Sequence, residues 1–180
     1  ARISLAAGQE AVFVMAYGYD RPRRIASYRS RQQLELTKTY WKSVAGKVTV
    51  RGLWRDQVTR SFLVLQLMRY RRTGAIIAAP TTSLPEEIGG TRNWDYRYAW
   101  LRDSSFTVDV FHRMGDSDAA ANHVNWLVDQ CKANNGKTRI VYGVTRNSSL
   151  KEFTLDHLQG YGGSRPIRVG NRAAKHLQLD

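Results

Sequence analysis

TTSLPEEIGGTRNWDYRYAWLRD, residues 81–103, is the stretch around which the chain is organised. It opens with turn formers. Pro80 and Pro85 fix φ and remove backbone donors, and Gly89-Gly90 permits conformations that other residues avoid. Then Trp94, Tyr96, Tyr98 and Trp100 are interleaved with Asp95, Arg97, Arg102 and Asp103. Flat aromatic faces beside fixed hydrogen-bonding groups suit a polyhydroxylated ligand. The C–H faces of a sugar pack on Trp or Tyr, while carboxylates and guanidinium groups fix its hydroxyls. The competing reading is a loop whose aromatics complete a core and whose charges pair locally.

Working outward, a second distinctive stretch is HLQGYGGSRPIRVGN, residues 157–171, followed by LQLD at 177–180. With TGAIIAAPTTSLPEEIGGTRNWDYRYAWLRD (73–103) it resembles the signature of glycoside hydrolase family 15, the glucoamylase and trehalase family, in its bacterial-type members. Weaker similarity includes TYWK (39–42) and VTRSFLVLQLMRY (58–70), so the resemblance covers nearly the whole chain. Ala99 departs from the pattern, where related sequences often have Cys.

The resemblance implies a fold that is mainly α: a partial (α/α)6 toroid preceded by the last strands of a β-sandwich and a helical linker. The implied boundaries are 1–27 for the sandwich end, 28–50 for the linker and 51–180 for the first part of the toroid. It also implies an inverting, exo-acting α-glucoside hydrolase of glucoamylase or trehalase type. Its substrate would be a maltooligosaccharide or trehalose, and it needs no organic cofactor. Arg102 and Asp103 would grip glucose hydroxyls, Tyr96 and Trp100 would wall the pocket, and Trp94 and Arg97 would assist. Arg165 and Arg168 resemble a second loop at the barrel mouth; the alternative for them is a structural ion pair, for instance with Asp156. For Asp103 the alternative is a helix N-terminal cap, and for Arg102 a salt bridge to Asp95 or Asp103.

Inverting glycosidases use two carboxyl groups, one protonating the leaving oxygen and one activating water, roughly 6.5–9.5 Å apart. The glutamates are Glu10, Glu35, Glu86, Glu87 and Glu152, and none matches the context of either family catalytic glutamate. The expectation is therefore a chain with substrate-gripping residues and no catalytic ones, and part of a longer enzyme. The rival reading is a non-catalytic carbohydrate-binding or scaffold piece.

Bulk properties bound the rest. At 180 residues and 42% hydrophobic, the chain is globular in composition rather than disordered. Its net charge of +13 is concentrated between Arg21 and Arg72, where fourteen Lys and Arg face only Glu35 and Asp56. Such a block could meet nucleic acid, but its aromatics follow no nucleic-acid motif. A solvated face, or a face meeting an acidic partner, is the better reading, with no nucleic-acid partner. Cys131 is the single cysteine, so no internal disulfide forms, and a cytoplasmic location is expected. No stretch approaches the roughly 20 apolar residues of a membrane span. The histidines share no metal-ligand spacing, so no metal site is expected. The oligomeric state is left open.

Periodicity supplies the elements. Residues 2–5 and 11–17 read as two strands around Gly8. Ser30–Trp41 reads as a helix ended by Gly46. Val50–Tyr70 reads as a helix, largely buried from Phe62 to Met68. Gly74–Ala79 reads as extended, and Ser83 with Glu86 has capping-box spacing. One helix runs from near Trp100 to Gly115. Another runs from Asp116 or Ser117 to Asn134-Asn135-Gly136, with His123 as a core residue. Residues 139–144 read as extended, and Asn171 as the cap of a further helix.

Overall fold

The computed structural model describes residues 2–18, 21, 23–145 and 148–176. The chain forms two compact units, 1–46 and 47–180. In the first, a turn closes at Gly8, where Gln9 N donates to Ala6 O at 3.0 Å. The two strands expected around it do not form among the described residues. An extended segment becomes a strand only with a partner for its backbone groups. Here the apolar run from Val12 to Tyr17 is exposed, Met15 and Tyr17 completely. α1 (Ser30–Gly46) follows a left-handed Arg29, so most of the stretch expected as linker is one helix. It buries Val44 and leaves Leu34 and Leu36 exposed.

The second unit holds the core. α2 (Arg55–Leu67) starts later than its apolar periodicity suggests, because Gly52 has φ +110° and turns the chain before it. Trp54 therefore lies outside the helix and is exposed. Nor is the Phe62–Met68 segment largely buried: Phe62 and Gln66 face inward, while Val64 and Leu67 are exposed. Phe62 meets Phe111 of α3 (Leu101–Arg113) edge to face, with centroids 5.9 Å apart. Such a pair adds to simple burial because a ring edge meets a ring face. Gly115 ends α3, and α4 (Ser117–Ala133) packs back against it.

A buried polar cluster joins these helices. Asp116, at the start of α4, accepts from Lys47 Nζ at 2.7 Å and from Gln66 Nε2 at 2.6 Å. Burial pushes its pKa up, but the bonds from Lys47 and Gln66 outweigh this and hold it below the ordinary value. His123 is a core residue, as its place on the apolar face of α4 suggests. Its Nδ1 lies 3.0 Å from the carbonyl of Gly74, and burial lowers its pKa. Gly74 has φ +87°, and a Cβ there would meet the backbone of Asn122 on α4, so only glycine allows this approach.

Among the described residues, three two-stranded antiparallel pairs frame the helices. β1 (Thr82–Pro85) pairs with β2 (Asn93–Asp95), β3 (Ala99–Trp100) with β4 (Val141–Tyr142), and β5 (Phe153–Thr154) with β6 (Arg168–Val169). Ser83 and Glu86 thus form no capping box. Ser83 lies in a bulged strand with φ +56°, and its hydroxyl serves another purpose described below. Asn171 caps as expected, accepting from Ala173 N at 3.0 Å, although the helix it starts is a short 3-10 turn, Arg172–Lys175. No described helix is long and apolar enough to cross a membrane.

Candidate active site

The two distinctive stretches meet along their lengths. Gly89 N donates to Ser164 Oγ at 2.8 Å, and Asn93 Nδ2 donates to Pro166 O at 3.1 Å. Thr82 and Ser83 hydroxyls both donate to Arg168 O, and Arg168 N donates back to Ser83 Oγ at 2.7 Å. Gly170 N donates to Asp95 Oδ2 at 3.0 Å. Side chains and backbone groups 73 to 86 residues apart are thereby fixed together.

Between them lies a cavity of about 560 Å³. Trp94, Asp95, Tyr96 and Trp100 line it from the first stretch; Arg168, Gly170 and Asn171 line it from the second, with Glu152, Arg172 and His176. Of the six residues expected to bind substrate, the structure brings Trp94, Tyr96 and Trp100 to this cavity. Arg97, Arg102 and Asp103 are not among its lining residues.

Arg97 is committed elsewhere. Its Nε and Nη2 donate to the two oxygens of Asp95 at 2.9 and 2.8 Å, a bidentate fork. The Asp95 carboxylate is fully buried. Burial alone would raise its pKa; Arg97 and the Gly170 and Arg97 amides more than compensate and hold it below the ordinary value. A buried carboxylate kept ionised in this way builds structure rather than moving protons. Arg102 and Asp103 pair with each other, Nη2 to Oδ2 at 3.5 Å, both half-exposed. Arg102 also lies 5.9 Å from the ring centre of Trp100, which borders the cavity. Asp103 is not the helix cap, because Trp100 holds that position and Asp103 stands in the first turn of α3.

The aromatic walls are held from behind by Glu86. It accepts from Trp94 Nε1 at 3.1 Å and pairs with Arg92 at 3.5 Å. Burial and the Glu86 carboxylate together push the Tyr96 phenol above its ordinary pKa. Arg168 lies over Trp94, 4.7 Å from its ring centre, so one indole face is already covered. The ion-pair alternative for Arg168 holds, but with Glu152 at 3.6 Å rather than Asp156. Arg165 instead borders a smaller cavity with Asp156. Glu152, Arg172 and His176 had no local signal as site residues. Asp95 did, through its i, i+2 spacing from Arg97, which places both on one side of an extended chain.

Gly170 closes the site. Its φ is +92°, and a Cβ there would run into the Lys151 carbonyl. Gly170→Ala combines a left-handed penalty of about 1–2 kcal/mol with this backbone clash, so the loop must move off Asp95. A lower midpoint in thermal unfolding is the expected result; an unchanged melt would contradict this account.

Known proteins resemble this chain over most of its length. The family model described as Glycosyl hydrolases family 15 matches residues 52–180. A trehalase of Thermoplasma acidophilum is 38% identical over 167 residues, covering 93% of this chain and 28% of that protein. Trehalases of Mycolicibacterium smegmatis and Mycobacterium tuberculosis are 45% and 44% identical over 130 residues. Each match covers 71% of this chain, and respectively 20% and 19% of the relative. The chain thus spans less than a third of the length of these curated relatives. No solved structure matches it significantly. The match across 52–180, laid over a cavity that both distinctive stretches build, makes this chain a member of glycosyl hydrolases family 15.

Proposed function

We propose that this chain carries the glucose-gripping part of an inverting, exo-acting α-glucoside hydrolase whose substrate is trehalose. The observation that carries the reading is the cavity walled by Trp94, Tyr96 and Trp100. These flat apolar faces sit beside fixed charged donors and acceptors, which suits a pyranose. The relatives named as trehalases favour trehalose over maltooligosaccharides. In this reading Tyr96 and Trp100 pack on the sugar; Arg102, 5.9 Å from the Trp100 ring, donates to its hydroxyls and its partner Asp103 accepts from them, both from outside the cavity lining. Trp94 forms part of the wall with Arg168 over one face, and Arg97 supports the wall by holding Asp95. The helices of residues 51–180 belong to a larger (α/α)6 toroid, and residues 1–27 to the edge of a β-sandwich whose other strands pair with them.

The reacting carboxyl groups lie outside these 180 residues in this reading. Glu86 is engaged with Trp94 and Arg92, and Glu152 with Arg168 and the amide of Arg172. Both are wall-building groups rather than free acids. The product anomers test the mechanism. Trehalose joins two α-glucose units, so inversion at one anomeric carbon releases one β-glucose and one α-glucose. Proton NMR of the complete protein's reaction, recorded before mutarotation, should show the two in equal amounts. Release of α-glucose alone would mean retention and overturn the inverting reading; turnover of maltose without trehalose would overturn the substrate.

A further inference from the structure

We propose that Arg168 is a substrate-contacting, specificity-determining residue, donating from its guanidinium to one sugar hydroxyl in the cavity. The proposal rests on the function proposed above and names a residue within the same site. Arg168 is held from several sides. Its Nη1 donates to Thr91 O at 2.6 Å, its Nε lies 3.6 Å from Glu152 Oε1, and its plane lies over Trp94 at 4.7 Å. Its backbone is gripped at both ends by Ser83, a non-glycine residue held at φ +56°. Strain of this kind persists only where surrounding structure enforces it, and it concentrates at functional sites.

An arginine fixed in this way still has donors to spare. A guanidinium carries five N–H groups. Among the described residues, Nη1 makes the one side-chain hydrogen bond, Nε faces Glu152, and Nη2 has no partner. The side chain is only 17% exposed, and Arg168 is one of the residues that line the cavity. Unspent donors on a rigid, largely desolvated group are suited to a ligand oxygen. Glu152 balances the charge beside it, which favours a neutral hydroxyl over a free anion. Because Arg168 covers one face of Trp94, that indole face supports the arginine rather than stacking on sugar.

The test compares trehalose with its monodeoxy analogues in the complete protein, wild type against Arg168→Lys. Wild type should lose about 10- to 100-fold in kcat/KM on one particular deoxy analogue, the size expected for a hydrogen bond to a charged group. Arg168→Lys should lose a similar factor on trehalose itself, and then stay within about twofold between trehalose and that analogue. A merely structural role would lower all substrates together and leave the deoxy profile unchanged, and that outcome overturns the proposal. If Arg168→Lys does not fold, Glu152→Gln decides by the same comparison, since it releases the Nε side of Arg168; an unchanged profile there is equally fatal. Asp103→Ala separates the two levels. Normal turnover in that variant removes the site reading, whereas an inactive Asp103→Ala beside an unchanged Arg168→Lys profile removes only Arg168.

Discussion

Replacing Asp103 by alanine in the complete protein is expected to lower kcat/KM on trehalose by about a thousandfold, or ~4 kcal/mol, while leaving the fold intact. The structural cost is small because the side chain does little for the fold. It is half-exposed, caps no helix, and makes a 3.5 Å pair with Arg102. An exposed pair of that kind contributes about 0–1 kcal/mol. The bond from Thr107 Oγ1 goes to the backbone oxygen of Asp103, which alanine retains. Some favourable interaction with the N-terminus of α3 is lost, on the order of 0.3–1 kcal/mol. The functional cost is larger in the role proposed for Asp103, because removing a carboxylate that accepts from sugar hydroxyls leaves those hydroxyls unpaired. Asp103→Asn keeps one acceptor and should fall between the two. The check is kcat/KM beside a thermal melt; wild-type turnover in Asp103→Ala would remove the glucose-gripping assignment.

Local order made much of this legible from sequence. α3 and α4 follow from apolar periodicity bounded by Gly115 and by Asn134-Asn135-Gly136, and the breaker residues act within a few positions. That Trp94, Tyr96 and Trp100 would share one surface was legible because they crowd into one short stretch beside charges. What escaped depends on partners distant in the chain. The strands expected at residues 2–5 and 11–17 had apolar pattern but no partner among the described residues. Ser83 matched a capping box locally, yet its hydroxyl is claimed by Arg168, 85 residues on. The inward turn of Gln66 answers to Asp116, 50 residues away. Glu152, the residue before β5, pairs with Arg168 of β6, a contact set by long-range strand pairing that no local pattern announces. The i, i+2 spacing of Asp95 and Arg97 was visible, but the burial of Asp95 escaped because an aspartate is ordinarily a surface residue, and it becomes intelligible only once the Arg97 fork and the Gly170 amide surround it.

That burial makes Asp95→Ala the most damaging change to stability expected in the cavity wall, about 1–3 kcal/mol, since the freed Arg97 is half-exposed to water while the Gly170 amide is not. The carboxylate is completely buried and receives four hydrogen bonds: three from Arg97, including its amide, and one from Gly170 N. Alanine leaves the Arg97 fork and the Gly170 amide without their acceptor, and an unmade bond in a buried place costs more than the bond itself contributes. The loop bearing Arg168, Gly170 and Asn171 is then released from β2, so sugar affinity should fall along with stability. Asp95→Ala combined with Arg97→Ala should destabilise by less than the sum of the two, because removing the cation relieves its unpaired state. Acidity provides an independent check. The folded pKa of Asp95 is depressed below its ordinary 3.8, so its stabilisation is complete above that value and is lost as pH falls from there through the lowered folded value. The gap in unfolding free energy between wild type and Asp95→Ala should therefore be flat from neutral pH to about 5 and narrow below about 4. A gap that stayed constant into strong acid would mean that Asp95 acts through its shape and not its charge. A gap absent at neutral pH would mean that the fork to Arg97 does not hold the loop at all.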